Sequence, residues 1–120
     1  MMKPLWSVLI ALAALMTLVA CGGTPTLVGN WRADDGTGTK VIMSDGSCPG
    51  MYYDITGTEI NYGGSITCSM SDSKDSRGWY TLIVRQIMLD QQTLYVEFEG
   101  NNTAKVYDRA GNLLFTMKRQ

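Results

Sequence analysis

Thr93-Leu94-Tyr95-Val96-Glu97-Phe98-Glu99 is the stretch whose reading decides the fold. Leu94, Val96 and Phe98 share one parity, and Tyr95, Glu97 and Glu99 share the other. Strict alternation is the signature of a strand with one face on a core and one in water, because successive side chains leave a strand on opposite sides. The same punctuation continues downstream. Gly100-Asn101-Asn102 reads as a turn into a strand over Thr103–Asp108, and Ala110-Gly111-Asn112 as a turn into Leu113–Lys118.

Upstream, Trp79–Leu89 is the longest and most apolar segment of this part of the chain. Leu82, Val84 and Met88 fall on one face and Trp79, Ile83, Ile87 and Leu89 on the other, which predicts a strand lying between two layers or one carrying a bulge. Ser71–Gly78 is a polar loop. Earlier still, Leu27–Ala33, Thr39–Ser44, Met51–Ile55, Thr58–Tyr62 and Ser65–Met70 read as strands. Asp34–Gly38, Asp45-Gly46, Pro49-Gly50, Thr56-Gly57 and Gly63-Gly64 punctuate them. In the second, Val41 and Met43 alternate with Lys40, Ile42 and Ser44. No helical period runs through residues 27–120. The expectation is one small all-β domain over 27–120, an antiparallel meander of eight or nine strands that closes into a barrel and so leaves no open edge.

A different composition precedes it. Lys3 is followed by an apolar run over Leu5–Val19, too short for the roughly 20 residues of a spanning helix, and then by Leu18-Val19-Ala20-Cys21 and Gly22-Gly23. This resembles the signal segment and lipobox of bacterial lipoproteins. The resemblance implies a helical signal peptide over 1–20, cleavage before Cys21, lipid on the Cys21 sulfur, and a short tether over 21–26. Each buried methylene of such an anchor contributes about 0.8 kcal/mol, and more than one acyl chain gives lasting attachment. Gly22, rather than Asp, implies the outer membrane with the protein on its periplasmic face. Cys48 and Cys68 then remain in an exported chain, and are expected to form a disulfide, worth about 3 kcal/mol by loop-closure entropy.

Gly29-Asn30-Trp31 is similar to the Gly-x-Trp opening of lipocalin-like small barrels, in which the Trp plugs the floor. Tyr107-Asp108-Arg109 also looks like lipocalin-like lipoproteins. Thr103–Arg109 is loosely similar to a late strand of membrane-bound lysozyme inhibitors, although their Ser-Gly-x-x-Tyr loop is missing here.

Positive signs of catalysis are few. The chain has no histidine, hence no imidazole base and no His-containing triad. Glu97 and Glu99 have a spacing near that of glycosidase carboxylates, but they sit opposite an apolar face and read as a solvent-facing pair. Asp72 and Asp75 lack an EF-hand pattern. No metal site and no cofactor are expected. Without Lys3, nine cations face eleven acids, and no Lys/Arg cluster points to nucleic acid. The aromatic set Tyr52, Tyr53, Tyr62, Trp79, Tyr80, Tyr95 and Tyr107 is dense, and Tyr and Trp are common interface anchors. Tyr95, Tyr52, Tyr53 and Tyr80 are the candidate interface residues. The leading expectation is a non-enzymatic protein-binding module in envelope or secretion-system assembly, held to the membrane by its lipid. A periplasmic inhibitor or immunity protein against a toxin or lysozyme is the second. A lipocalin-like carrier of an apolar ligand is the third, and large inward side chains argue against it.

Overall fold

The structure, a computed structural model, describes residues 25–61 and 64–120. The expected signal segment, Cys21, the tether up to residue 24, and Tyr62 lie outside the described residues. Among the described residues seven antiparallel strands follow one another: β1 (Gly29–Ala33), β2 (Thr39–Ile42), β3 (Ile66–Met70), β4 (Tyr80–Gln86), β5 (Gln92–Glu99), β6 (Thr103–Tyr107) and β7 (Leu113–Arg119). They form one sheet in the order β2-β1-β7-β6-β5-β4-β3. β3 to β7 is a run of hairpins, and β1 docks on β7 through Trp31↔Arg119 and Ala33↔Met117. The sheet curls so that its edges, β2 and β3, come near each other. The short segment Gly46–Cys48 fills the seam. The Met43 amide donates to the Ser47 carbonyl, the Cys48 amide to Ile66, and the Cys68 amide to Gly46. The Cys48–Cys68 disulfide, with Sγ atoms 2.08 Å apart, crosses the same seam. The result is a nearly closed barrel.

Three of the connections share one local chemistry. Asp54-Ile-Thr-Gly57, Asp75-Ser-Arg-Gly78 and Asp108-Arg-Ala-Gly111 each take the glycine amide on the Asp carbonyl, at 3.0 Å in all three. The Asp carboxylate accepts the amide of the residue after the glycine, at 3.1, 3.1 and 2.8 Å. The glycines have φ of 81°, 85° and 90°, a region that side chains with a Cβ avoid. Asp therefore opens each turn and Gly ends it.

Inward positions fill the barrel. Trp31, Leu82, Val84, Leu94, Val96, Val106, Phe115 and Met117 are buried, each such side chain contributing roughly 1.5–3 kcal/mol over leaving it in water. At the end where the chain enters, the Trp31 indole donates to the Leu27 carbonyl at 2.8 Å. The Arg119 guanidinium lies 4.2 Å from the Trp31 ring and donates to the carbonyls of Thr26, Val28 and Asn101. Gly29 permits this, since a Cβ there would stand 2.5 Å from the Arg119 guanidinium. The opposite end is capped by the long connection between β2 and β3, which sends Met51, Tyr52 and Tyr53 into the core.

This cap corrects the expected strand count. Eight or nine strands become seven, because Met51–Ile55 and the described part of Thr58–Tyr62 contribute only a single bridge, Tyr53↔Glu59. Their aromatic residues pack into the barrel mouth instead of pairing as sheet. β4 is also shorter than Trp79–Leu89. It lies in a single layer with Tyr80, Leu82, Val84 and Gln86 inward, and the chain turns at Ile87-Met88. In β2 the inward parity is Lys40 and Ile42, while Val41 and Met43 form the outer one. On β5, Leu94 and Val96 are buried as the alternation requires. Phe98 is half-buried against the edge of Tyr80, and Glu97 is half-buried on the outer face.

Candidate functional site

The outer face of β4–β6 carries a connected aromatic and charged cluster. Tyr95 on β5 and Tyr107 on β6 are register partners. Trp79, just before β4, stacks on Tyr107 with ring centroids 3.8 Å apart and 10° between planes, and lies 6.1 Å from Tyr95. Arg77 reaches back from the β3–β4 turn, its guanidinium 4.1 Å from the Trp79 ring and 4.4 Å from the Tyr95 ring. The turn chemistry explains its direction. Asp75 holds the Arg77 amide at 2.8 Å and its guanidinium at 2.7 Å, and Gly78 then sends the chain into β4 with Trp79 on the outer face.

Polar contacts fix the rings further. The Tyr107 hydroxyl donates to the Glu97 carboxylate at 2.6 Å, and Lys105 pairs with Glu99 at 2.7 Å. Burial, then the Glu97 hydrogen bond and charge, push the Tyr107 hydroxyl up to about 12. Tyr107 therefore stays a neutral donor at physiological pH. The Asp75 hydrogen bond raises Arg77 and the Glu99 hydrogen bond raises Lys105. Trp79, Tyr95 and Tyr107 are each half-exposed. The arrangement is a pre-ordered ridge of Trp, Tyr and Arg, the residue types that dominate binding energy at protein interfaces. Rings already immobilised lose little rotamer freedom when a partner covers them.

Of the four tyrosines expected at an interface, only Tyr95 is on this surface. Tyr52, Tyr53 and Tyr80 are buried. Tyr52 donates its hydroxyl to the Asp90 carbonyl. Tyr53 donates to Asp35 at 2.8 Å and packs 5.1 Å from the Phe115 ring. Tyr80 takes an inward position of β4 against Phe98. Their hydroxyls or ring edges find partners inside, so a buried Tyr need not leave its polar tip unsatisfied. The cysteine pair lies at the barrel seam, away from the aromatic ridge. Cys21 lies outside the described residues.

The sequence reading missed Arg77, whose signal was its place between an Asp and a Gly-Trp. It also missed a polar knot in the barrel mouth. Lys40 is fully buried. Its ammonium donates to the Gly50 carbonyl at 2.6 Å and to Glu59 at 3.4 Å, and lies 4.8 and 5.4 Å from the Tyr53 and Phe115 rings. Burial lowers the Lys40 pKa against the pull of Glu59 and Asp35. Burial pushes the Tyr53 hydroxyl strongly up. Among the described residues no group of three His, Cys, Asp or Glu could hold a metal ion. No known protein family, no curated protein and no solved structure matches the chain.

Proposed function

We propose that this chain is a non-enzymatic protein-binding module of the bacterial envelope. It is tethered through lipid on Cys21, on the periplasmic face of the outer membrane, and serves an assembly or secretion system. The observation that carries the binding reading is the outer ridge Arg77–Trp79–Tyr95–Tyr107, with its rings stacked and its guanidinium held by Asp75. The filled barrel supports a surface binder over a carrier, since Trp31, Met51, Tyr53 and Met117 occupy the interior. The anchor rests on Leu18-Val19-Ala20-Cys21 after an apolar leader.

Two measurements test the two halves separately. Fatty-acid labelling of the full chain in its host should mark the wild type and not Cys21→Ser, and an unlabelled wild type would end the lipoprotein reading. A photo-crosslinking amino acid at Tyr95 should join a discrete envelope protein. Trp79→Ala, which removes the stacked ring and the shelf for Arg77, should lower that yield at least tenfold, about 1.4 kcal/mol. A yield indifferent to Trp79→Ala would overturn the ridge as the docking surface.

A further inference from the structure

The β4–β5 turn presents two apolar side chains to water. Ile87 is 68% exposed and Met88 97%. Met88 has φ of 65°, and among the described residues it is the non-glycine residue with positive φ. Asn or Gly would occupy that conformation with less strain. The turn itself is closed by the Leu89 amide on the Gln86 carbonyl at 3.0 Å. So the position combines an unfavourable backbone for a bulky residue with high exposure among the described residues. Folding alone favours neither.

The antiparallel register places this turn at the capped end, with the β1–β2 and β6–β7 turns. The chain enters at the opposite end, where Arg119 binds the Thr26 and Val28 carbonyls. An anchor on that side points the Ile87-Met88 tip away from its membrane. The charge around the tip also opposes an anionic lipid surface. Asp34 and Asp35 lie in the β1–β2 turn, Asp54 in the cap, Asp90 beside the tip and Asp108 in the β6–β7 turn, against exposed Arg85 and Arg109. Glu59 is offset by Lys40. A concavity of about 430 Å³ opens on the same end between Asp54-Ile55, the start of β5 and the turn at Arg109. Ile55, 92% exposed, stands at its rim. A protruding apolar knob beside an open cleft, within an acidic rim, complements a protein surface. It does not complement a flat anionic bilayer.

We propose that the Ile87-Met88 tip is a second docking element, which inserts into an apolar pocket bordered by Lys or Arg on a protein partner. It rests on the proposed function for the membrane anchor and for a protein as ligand, and it is independent of the outer ridge. The experiment uses the full chain in its host cells with a photo-crosslinking amino acid at Gln91, the exposed neighbour of the tip. The expected result is one protein adduct of discrete mass. Met88→Asn and Asp90→Lys should each reduce its yield at least tenfold. Met88→Asn should at the same time hold or raise the melting temperature, by up to about 4 °C, because Asn tolerates the backbone. That combination separates docking from folding. An adduct insensitive to both substitutions, an adduct of twice the chain's own mass, a lipid adduct, or no protein adduct would each overturn the proposal. Crosslinking from Tyr95 is scored independently, so loss of one surface leaves the other standing.

Discussion

Lys40 shows how a single residue can run against its own sequence context. Parity in Thr39–Ser44 sets Lys40 beside Ile42, and both turn inward. A lysine can take that place because Gly50 and Glu59, contributed by the cap, meet its ammonium. Neither partner is visible from β2 itself, so no period-two reading could have foreseen the knot. Buried ion pairs seldom stabilise more than well-packed apolar groups, whereas stripping one partner strands a charge. Lys40→Met should therefore leave stability unchanged or raise it by about 1 kcal/mol. Glu59→Gln should lower it by about 2 kcal/mol, less than for a fully buried pair because Glu59 is 26% exposed. Urea midpoints in the opposite order would show that the pair stabilises the fold. The pH dependence follows from the sign. Burial lowers Lys40 in the folded chain below its usual 10.5. The unfolded chain then holds the proton more tightly, and the destabilising contribution fades as pH rises through the folded value. In Glu59→Gln, which loses the opposing attraction, stability should rise with pH more steeply than in the wild type.

At the scale of elements, the turns and the strands were unequally legible. The alternation of Thr93–Glu99 announced β5, and the Gly-Asn and Gly-bearing breaks announced β6 and β7. Met51–Tyr62 has equally strand-like residues, yet its described part forms a cap, because Tyr52 and Tyr53 satisfy themselves in the barrel mouth. Aromatic and β-branched composition does not distinguish sheet from any other half-buried surface. The Asp-x-x-Gly turns are set by local chemistry. Two of these turns hold a carboxylate with a lowered pKa. The Thr56 hydroxyl and Thr58 amide hold Asp54, and Arg77 holds Asp75, below the usual carboxylate value. Burial pushes Asp35 up, but the Thr37 and Tyr53 hydrogen bonds outweigh it and the net direction is down. Groups depressed in the folded state add stability that is present above the ordinary value near 3.8 and lost as pH falls through the folded values. The urea midpoint should fall between pH 6 and pH 3, and Asp54→Asn with Asp75→Asn should flatten that fall. An undiminished slope in the double variant would show that these turns do not carry the acid sensitivity. Gly78→Ala, which forces a Cβ into φ of 85°, should cost about 1–2 kcal/mol.

For the whole molecule, closure depends on a seam of few hydrogen bonds and one covalent link. The cysteine pairing is expected on the reading that the chain is exported, but its place at the meeting of the two sheet edges is not, because that depends on how far seven strands curl. Reduction reopens a loop with a sequence separation of 20 residues and should lower stability by about 3 kcal/mol. Cleavage by protease should then concentrate in residues 46–61, and an unchanged midpoint in reductant would mean the seam holds without it. The docking of β1 on β7 has a kinetic side. Strands β3 to β7 join neighbours through short connections, while Trp31 must find Arg119 across nearly the whole domain. Contacts of such separation form late and slowly. In φ-value analysis, substitutions around Val96 should report structure already formed in the transition state, and substitutions at Trp31 should report almost none. β1 is thus synthesised well before the strand it docks on, and is among the last of the seven to find its place.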